Sequence, residues 1–298
     1  MNKLHIVECP LCGGGHLHKF LICKDHYATG EIFTILECEE CGFRMTQDVP
    51  VEAEIGRYYE SPDYISHSDT HKGLMNRVYH YVRSYMLQRK AKLVEKASGK
   101  KSGRILDIGT GTGYFSHTMK KRGWQVDAIE KSAQARDFAR QNFGLEVKEE
   151  SEVGHYGNKV FDVITMWHVL EHVEKQTYEW ETLHKQLKDD GVLIIAVPNC
   201  SSTDAKHYAA FWAAYDVPRH LWHFTPDTMQ KMAEKQGFRL LKKKPMPFDG
   251  FYVSMLSEKY KGNSIYFLKG AWIGLMAWFS TWMNAERSSS MIYIFRKK

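Results

Sequence analysis

The sequence predicts an α/β fold: an open, mostly parallel sheet with helices on its faces and a small cysteine-held unit in front. Three observations predict it. The apolar run Ile105, Leu106 and Ile108 reads as a buried strand, breaks into glycines at 109, 111 and 113, and gives way to a helical pattern from Tyr114 to about Arg122. Further apolar runs at 125–129, 145–149, 161–167 and 191–198 follow at the spacing of strand–helix units. Two Cys-x-x-Cys pairs stand within the first 41 residues.

A chain of 298 residues holds one full α/β domain plus appendages. With 43% hydrophobic and 26% charged residues, its composition is that of an ordinary globular protein. A formal charge of +6 permits an acidic partner, whether phosphate, nucleic acid or anionic membrane, without requiring one. Met1 to Cys9 lacks the apolar core of an export signal, so a cytoplasmic location is expected. In that compartment six cysteines point to metal before disulfide.

Residues 1–48 read as a zinc ribbon. Cys9-Pro-Leu-Cys12 and Cys38-Glu-Glu-Cys41 lie 25 residues apart, and each pair runs directly into a glycine, Gly13 or Gly42. Two such knuckles bring Cys9, Cys12, Cys38 and Cys41 into tetrahedral reach of one Zn²⁺. His16 or His18 could replace one thiolate. Four protein ligands leave no open position, so the metal's role is structural. Phe33 to Leu36 supplies a strand, and Cys23 and Cys200 remain as plain thiols.

Residues 49–100 form a linker with lid helices. Ile55 to His67 is aromatic and irregular. Gly73 to Ala97 reads as a long helix with Leu74, Val78, Tyr81, Val82, Tyr85 and Leu93 near one face and a solvated basic face elsewhere.

The glycine turn decides the ligand. A dinucleotide fingerprint G-x-G-x-x-G would need glycine at 114 or 116, where Tyr114 and Ser116 stand. The spacing is instead Asp107-x-Gly109-x-Gly111-x-Gly113. A carboxylate closing the strand would repel a pyrophosphate, yet it can accept a hydrogen bond from an ammonium group. Twenty-one residues after Gly109 the next strand, Gln125 to Ile129, ends at Glu130, where an acid takes both hydroxyls of a ribose. An ammonium near the turn and a ribose at Glu130 describe S-adenosylmethionine (SAM). The segment resembles motifs I and II of the class I SAM-dependent methyltransferases. That resemblance implies a Rossmann-like seven-stranded sheet, with Asp107, Gly109, Thr110, Gly111, Gly113, Tyr114, Phe115, Glu130 and Lys131 around SAM. In methyltransferases of this type the segment before motif I commonly lids the cofactor. Here that would bring Tyr64 and His67, with Tyr58 and Ser66, to the methionine end; alternatively the tyrosines pack the first helix on the sheet.

From 101 to 298 the chain reads as the methyltransferase domain. Leu145 to Glu149 is the third strand, and a polar residue between Glu150 and Glu152 should meet the adenine. Phe161 to Trp167, apolar throughout apart from Asp162 and Thr165, suits a central parallel strand. It runs into His168-Val-Leu-Glu-His172, which resembles the strand ending of the quinone-biosynthesis and sugar methyltransferases. In the quinone O-methyltransferases a glutamate stands three residues before Glu-His, and that set can hold a divalent metal; here the position is His168. His168, Glu171 and His172 at i, i+3 and i+4 would share a helical face. They could hold a metal, form a base oriented by Glu171, or pin the loop. Trp167 is expected at the adenine or the mouth of the site. The fifth strand, Gly191 to Pro198, follows a helix ending at Lys188-Asp-Asp-Gly191.

Thr225 and Pro226 fit a helix cap and first-turn proline. Arg219, His220 and His223 then fall on the loop above strand five, where open α/β sheets bind substrate. His220 is the first candidate for the base that removes the acceptor's proton, with His168 and His172 next. Arg219 would grip a phosphate or carboxylate of the acceptor, or only pair with Asp216. His223 would meet the acceptor or pack on Trp222.

Phe238 to Lys244 and Ser290 to Arg296 read as the last two strands, with a hydrophobic insertion between them at 247–289. Residues 264–283 carry one charge, Lys269, and three tryptophans. The stretch is long enough to cross a bilayer, but a single crossing would strand the last strand on the wrong side of its sheet. It is expected to lie on a membrane surface, grip a lipid-linked acceptor, bury itself in a second subunit, or pack in the core.

A zinc ribbon before such a domain also looks like the front of the sugar C-methyltransferases. The expected activity is methyl transfer to oxygen or carbon of a small or lipid-linked acceptor: a sugar, a polysaccharide precursor or a quinone-like ring. An RNA methyltransferase is the alternative. The ribbon argues against it, because Lys19 and Lys24 are outnumbered by Glu31, Glu37, Glu39 and Glu40. A SAM-binding protein without catalysis is the third reading.

Overall fold

A computed structural model describes residues 3–51, 53–59, 74–246 and 248–298, and of residues 74–79, 177 and 178 the backbone alone. In the N-terminal unit β1 (Lys3–Leu4) pairs with β5 (Val49–Pro50). Between them β2 (Leu17–Lys24), β3 (Ile32–Cys38) and β4 (Arg44–Gln47) form an antiparallel meander. Each Cys-x-x-Cys pair closes a tight knuckle. Gly13 N–H donates to the Cys9 carbonyl at 2.7 Å and Gly42 N–H to the Cys38 carbonyl at 2.8 Å. Both glycines have φ in the left-handed region, at 80° and 72°, which a residue without a Cβ adopts at little cost.

Next come helix α1 (Leu74–Ser98) and the alternating units β6 (Arg104–Ile108), α2 (Tyr114–Lys121), β7 (Gln125–Ile129), α3 (Ala133–Phe143), β8 (Val147–Lys148), β9 (Phe161–Trp167), α4 (Gln176–Gln186) and β10 (Leu187–Pro198). After a short helix α5 (Thr203–Tyr208), the chain makes β11 (Trp222–His223), α6 (Pro226–Lys235), β12 (Phe238–Pro245), α7 (Asp249–Tyr260), α8 (Tyr266–Met283) and β13 (Ser290–Lys297). The large sheet has seven strands in the order β12-β13-β10-β9-β6-β7-β8. Strands β6 to β10 are parallel, and β13 is antiparallel between β10 and β12. The centre is dry: six of the seven residues of β9 are buried, as expected of a parallel strand covered on both faces.

Several local expectations change. The third strand is only two residues long. Helix α4 stops at Gln186, and Lys188 to Gly191 belong to an irregular start of β10. Helix α1 meets the sheet through Leu87, Ala91 and Val94 near its C-terminal end, while Tyr81 and Tyr85 face outward. At α6 the Thr225 side chain accepts from Thr228 N–H while Thr228 Oγ1 accepts from Thr225 N–H, and Pro226 opens the first turn.

Helices α7 and α8 form a hairpin in near backbone contact. A Cβ at Gly270 would stand 2.4 Å from Met255 Cα, and one at Gly274 2.7 Å from Phe251 Cα. No described helix is long and apolar enough to cross a membrane.

The ribbon and the large domain share structure. Trp222 and His223 pair antiparallel with Met45 and Arg44, so β11 extends the ribbon's sheet to the order β11-β4-β3-β2. Phe43 stacks on Trp222 with ring centroids 6.1 Å apart and lies 5.4 Å from Phe224. The ribbon's Cys9, Leu11 and Met45 join the same buried cluster as Leu193, Ile195 and Tyr293 of the large sheet.

Candidate active site

The glycine turn leaves the carboxyl end of β6. Gly109, Gly111 and Gly113 all take left-handed φ, at 67°, 56° and 82°. A Cβ at Gly109 would lie 2.3 Å from Val169 Cγ2, whereas nothing described stands within 4 Å of the equivalent point at Gly111. At the end of β7, Glu130 accepts Gly111 N–H and Ser132 N–H, one on each carboxylate oxygen, both at 2.8 Å. A carboxylate oxygen has a second lone pair, so both remain able to take a diol. An open glycine backbone beside an acid of this kind fits the ribose and methionine ends of SAM.

Asp107, expected beside the ligand, is engaged within the protein. It is buried beneath the turn, accepting Ser116 Oγ at 2.9 Å and Thr165 Oγ1 at 2.7 Å. Burial raises its pKa despite those donors and the nearby Lys90. From there it braces the turn. Tyr114 lies under the Arg83 guanidinium at 3.9 Å and against Phe143, and Phe115 is buried against Trp167. Lys131 faces Glu150 at 3.8 Å. Thr110 N–H donates to the Ile129 carbonyl, tying the turn to β7. Tyr64, Ser66 and His67 lie outside the described residues.

Strand β9 ends at Trp167, and His168 turns the chain with φ of 59°, an uncommon conformation for a residue with a side chain. A 3₁₀ turn at Leu170–His172 follows, so His168, Glu171 and His172 do not share a helical face. His168 lies between two carboxylates, Nδ1 3.4 Å from Glu171 and Nε2 3.3 Å from Asp249, the first residue of α7. Burial opposes its charge, but the two acids prevail and raise its pKa to about 9. Its protonated form is therefore favoured at neutral pH, which weighs against His168 as the base. Lys90 of α1 sits 4.3 Å over the Trp167 ring, and burial lowers its pKa against the pull of Asp249 and Asp107.

His172 and His220 meet edge to face, 4.5 Å between ring centroids. His172 Nδ1 donates to the Arg219 carbonyl and His220 Nδ1 to the Ala214 carbonyl, both at 2.9 Å. Carbonyls only accept, so in the neutral rings Nε2 carries the lone pair. Burial and the neighbouring His220 push His172 down to about 4. Glu171 is fully buried, and among the described residues neither of its side-chain oxygens meets a donor in hydrogen-bond geometry. Burial opposes its charge, but His168, His220 and His172 keep its pKa low. Glu171, His172 and His220 present donor atoms within 4.8 Å of one another.

Arg219 and His223 are both engaged by groups of the protein itself. Arg219 is 3% exposed and donates to Asp216, Asp25 and the Tyr58 carbonyl. It ties the loop to the ribbon, because Asp25 belongs to the β2–β3 turn. His223 is buried against Thr46 at 2.9 Å, and burial and His220 keep it neutral. The cysteines do converge. Cys9 Sγ lies 3.5 Å from Cys41 Sγ and Cys12 Sγ 3.5 Å from Cys38 Sγ, with all four donors mutually within 4.8 Å. Zn–S bonds of about 2.3 Å arranged tetrahedrally need a sulfur spacing of about 3.8 Å, so the set fits Zn²⁺. His16 and His18 turn instead toward Glu40, Glu37 and Glu39.

Lys90 and Asp249 were missed from sequence. One sat among six basic residues of a long helix, and the other opened an insertion with no strand or turn motif of its own. Only the tertiary fold brings them to His168 and Trp167.

A methyltransferase-domain family model matches residues 79–243, more than half of the chain. A mitochondrial ubiquinone biosynthesis O-methyltransferase of Schizosaccharomyces pombe is 36% identical over 107 residues, covering 33% of this chain and 38% of that protein. A ubiquinone biosynthesis O-methyltransferase of Actinobacillus pleuropneumoniae is 31% identical over 117 residues, covering 35% and 50%. The chain thus spans half or less of the length of these two relatives. A solved structure assigned as a sarcosine dimethylglycine methyltransferase, from Galdieria sulphuraria, aligns with TM-score 0.50 at 14% identity over 73% of this chain and 86% of that one. At that identity the likeness shows the fold alone. Taken with the seven-stranded order and the glycine turn facing Glu130, the match over 79–243 settles the family: the chain belongs to the class I SAM-dependent methyltransferases.

Proposed function

We propose that this protein transfers the methyl group of SAM to an oxygen or carbon of a small or lipid-linked acceptor, such as a sugar, a polysaccharide precursor or a quinone-like ring. In this reading residues 1–48 are a structural zinc ribbon, 49–100 a linker and lid, and 101–298 the catalytic domain. The observation that carries the proposal is the pair of imidazoles, His172 and His220, beside ionised Glu171 at the carboxyl edge of the sheet. Bound SAM supplies a methyl on a sulfonium, open to in-line displacement. Glu130 would hold its ribose and the Gly109–Gly113 backbone its methionine end, with Trp167 at the border of the site. His220 Nε2 takes the acceptor's proton, and the imidazolium so formed is stabilised by Glu171 and by Asp216, whose oxygen lies 3.9 Å away. His172, its neutral form favoured by burial, orients the acceptor hydroxyl.

His168 weighs against a divalent cation at Glu171, His172 and His220, because its positive ring lies 3.4 Å from the Glu171 carboxylate. The relatives' named role in ubiquinone biosynthesis supports a small or lipid-like acceptor, and the acid-rich ribbon speaks against RNA. His220→Ala should lower turnover by about 10²–10⁴-fold with SAM affinity unchanged. Normal turnover would remove His220 from the mechanism. Manganese binding lost in Glu171→Gln would replace proton transfer by a metal mechanism.

A further inference from the structure

We propose that the α7–α8 hairpin docks the protein on an anionic membrane surface, with the outer face of α8 in the headgroup layer. The inference goes beyond the methyl-transfer reading and stands without it. Helix α8 has two unlike sides. Gly270, Gly274, Ala277 and Thr281 are buried, the glycines against the α7 backbone. On the other side Leu268, Trp272, Met276, Phe279 and Met283 follow one another at steps of three and four, with Trp282 beside them; each is at least 50% exposed. An apolar stripe of this length on a water-facing helix marks a contact surface, and tryptophan is enriched where water meets lipid.

Charge selects the partner. From residue 259 to 285 the charged side chains are Lys259, Lys261 and Lys269, all exposed, with no acid among them. Arg287 follows, also exposed, while Glu286 is paired with Lys243 at 2.9 Å. A second copy related by a two-fold axis would bring like charges together around the same stripe. Anionic headgroups complement them. Topology sets the depth of contact, because α8 leads through a short turn into β13 between β10 and β12, so the helix lies along the surface without crossing it. The hairpin's first residue, Asp249, contacts His168, which ties the base of the hairpin to the site.

The test uses the full chain without acceptor, sedimented with phosphatidylcholine vesicles and with vesicles that also contain phosphatidylglycerol. Wild type should pellet with the mixed vesicles at least about tenfold more strongly than with neutral ones, and added salt should weaken that binding. The Trp272→Glu/Phe279→Glu variant should stay in the supernatant while binding SAM normally, which shows that it is folded. Wild type that ignores both vesicle types, or a variant that pellets equally, would overturn the proposal. So would a concentration-dependent dimer abolished by the same variant in a protein that does not bind vesicles.

Discussion

The Thr46 hydroxyl donates to the His220 carbonyl oxygen at 2.7 Å, and Thr46 N–H donates to the Leu221 carbonyl at 2.9 Å. A residue of the ribbon therefore holds the main chain of the proposed base. Since carbonyl oxygens only accept, Thr46 Oγ1 is left to accept from His223 Nε2–H, which fixes that ring's tautomer as well. The ribbon thus braces the loop that carries His220.

Thr46→Val should therefore reduce turnover while SAM affinity stays within about twofold, and stability should fall by about 1–2 kcal/mol, the cost of leaving a buried carbonyl unpaired. Removing zinc should act in the same way, only more strongly. Calorimetric SAM titration alongside turnover, before and after chelation, checks both. Parallel loss of SAM binding would show that the metal supports the whole sheet rather than the acceptor side.

Glu130→Ala removes the carboxylate that bridges Gly111 and Ser132 and is proposed to take the ribose. SAM binding should weaken by about 1.5–3 kcal/mol, roughly ten- to hundredfold. An unchanged affinity would overturn the placement of the ribose.

Gly109→Ala would need a left-handed alanine whose Cβ lies 2.3 Å from Val169 Cγ2. Thermal unfolding should show a loss of about 1–3 kcal/mol. Gly111→Ala meets no such neighbour in the protein, so its larger effect should be on SAM affinity. Equal stability losses for the two variants would contradict the open cradle at Gly111.

His168 makes stability depend on pH. Its folded pKa is raised from 6.5 to about 9 by Asp249 and Glu171 against the effect of burial. The stabilisation is complete below about pH 6.5 and is lost as pH rises through about 9. The side chain is 34% exposed, so solvent screening reduces the contribution to about 1–2 kcal/mol. Denaturant titrations between pH 6 and 10 should show this decline, and Asp249→Asn should flatten it. An unchanged slope in that variant would remove the His168–Asp249 ion pair from the account.

What could be read from sequence was what local pattern encodes. Ile105 to Phe115 announced strand, turn and helix because glycine spacing and apolar runs are local, and Thr225-Pro226 announced a helix start for the same reason. The four cysteines were legible from spacing alone. Long-range pairing was not. Asp249 meets His168 across 81 residues, and Trp222 pairs with Met45 through a two-residue strand too short to carry a period. For Arg219 the sequence offered an anion grip or a pairing with Asp216; the pairing is present, and the second partner, Asp25, lies too far off in sequence to be seen. Tyr81 and Tyr85 looked buried because they fit the helical period, but the helix packs through Leu87, Ala91 and Val94 instead.

The most direct test of methyl transfer to a small or lipid-linked acceptor uses methyl-labelled SAM with the purified protein and fractionated cell extract. Label should be extracted into the organic phase or held on a small sugar-like product, and should be lost in His220→Ala. Label in a precipitate destroyed by RNase would contradict it and make the ribbon a grip on RNA.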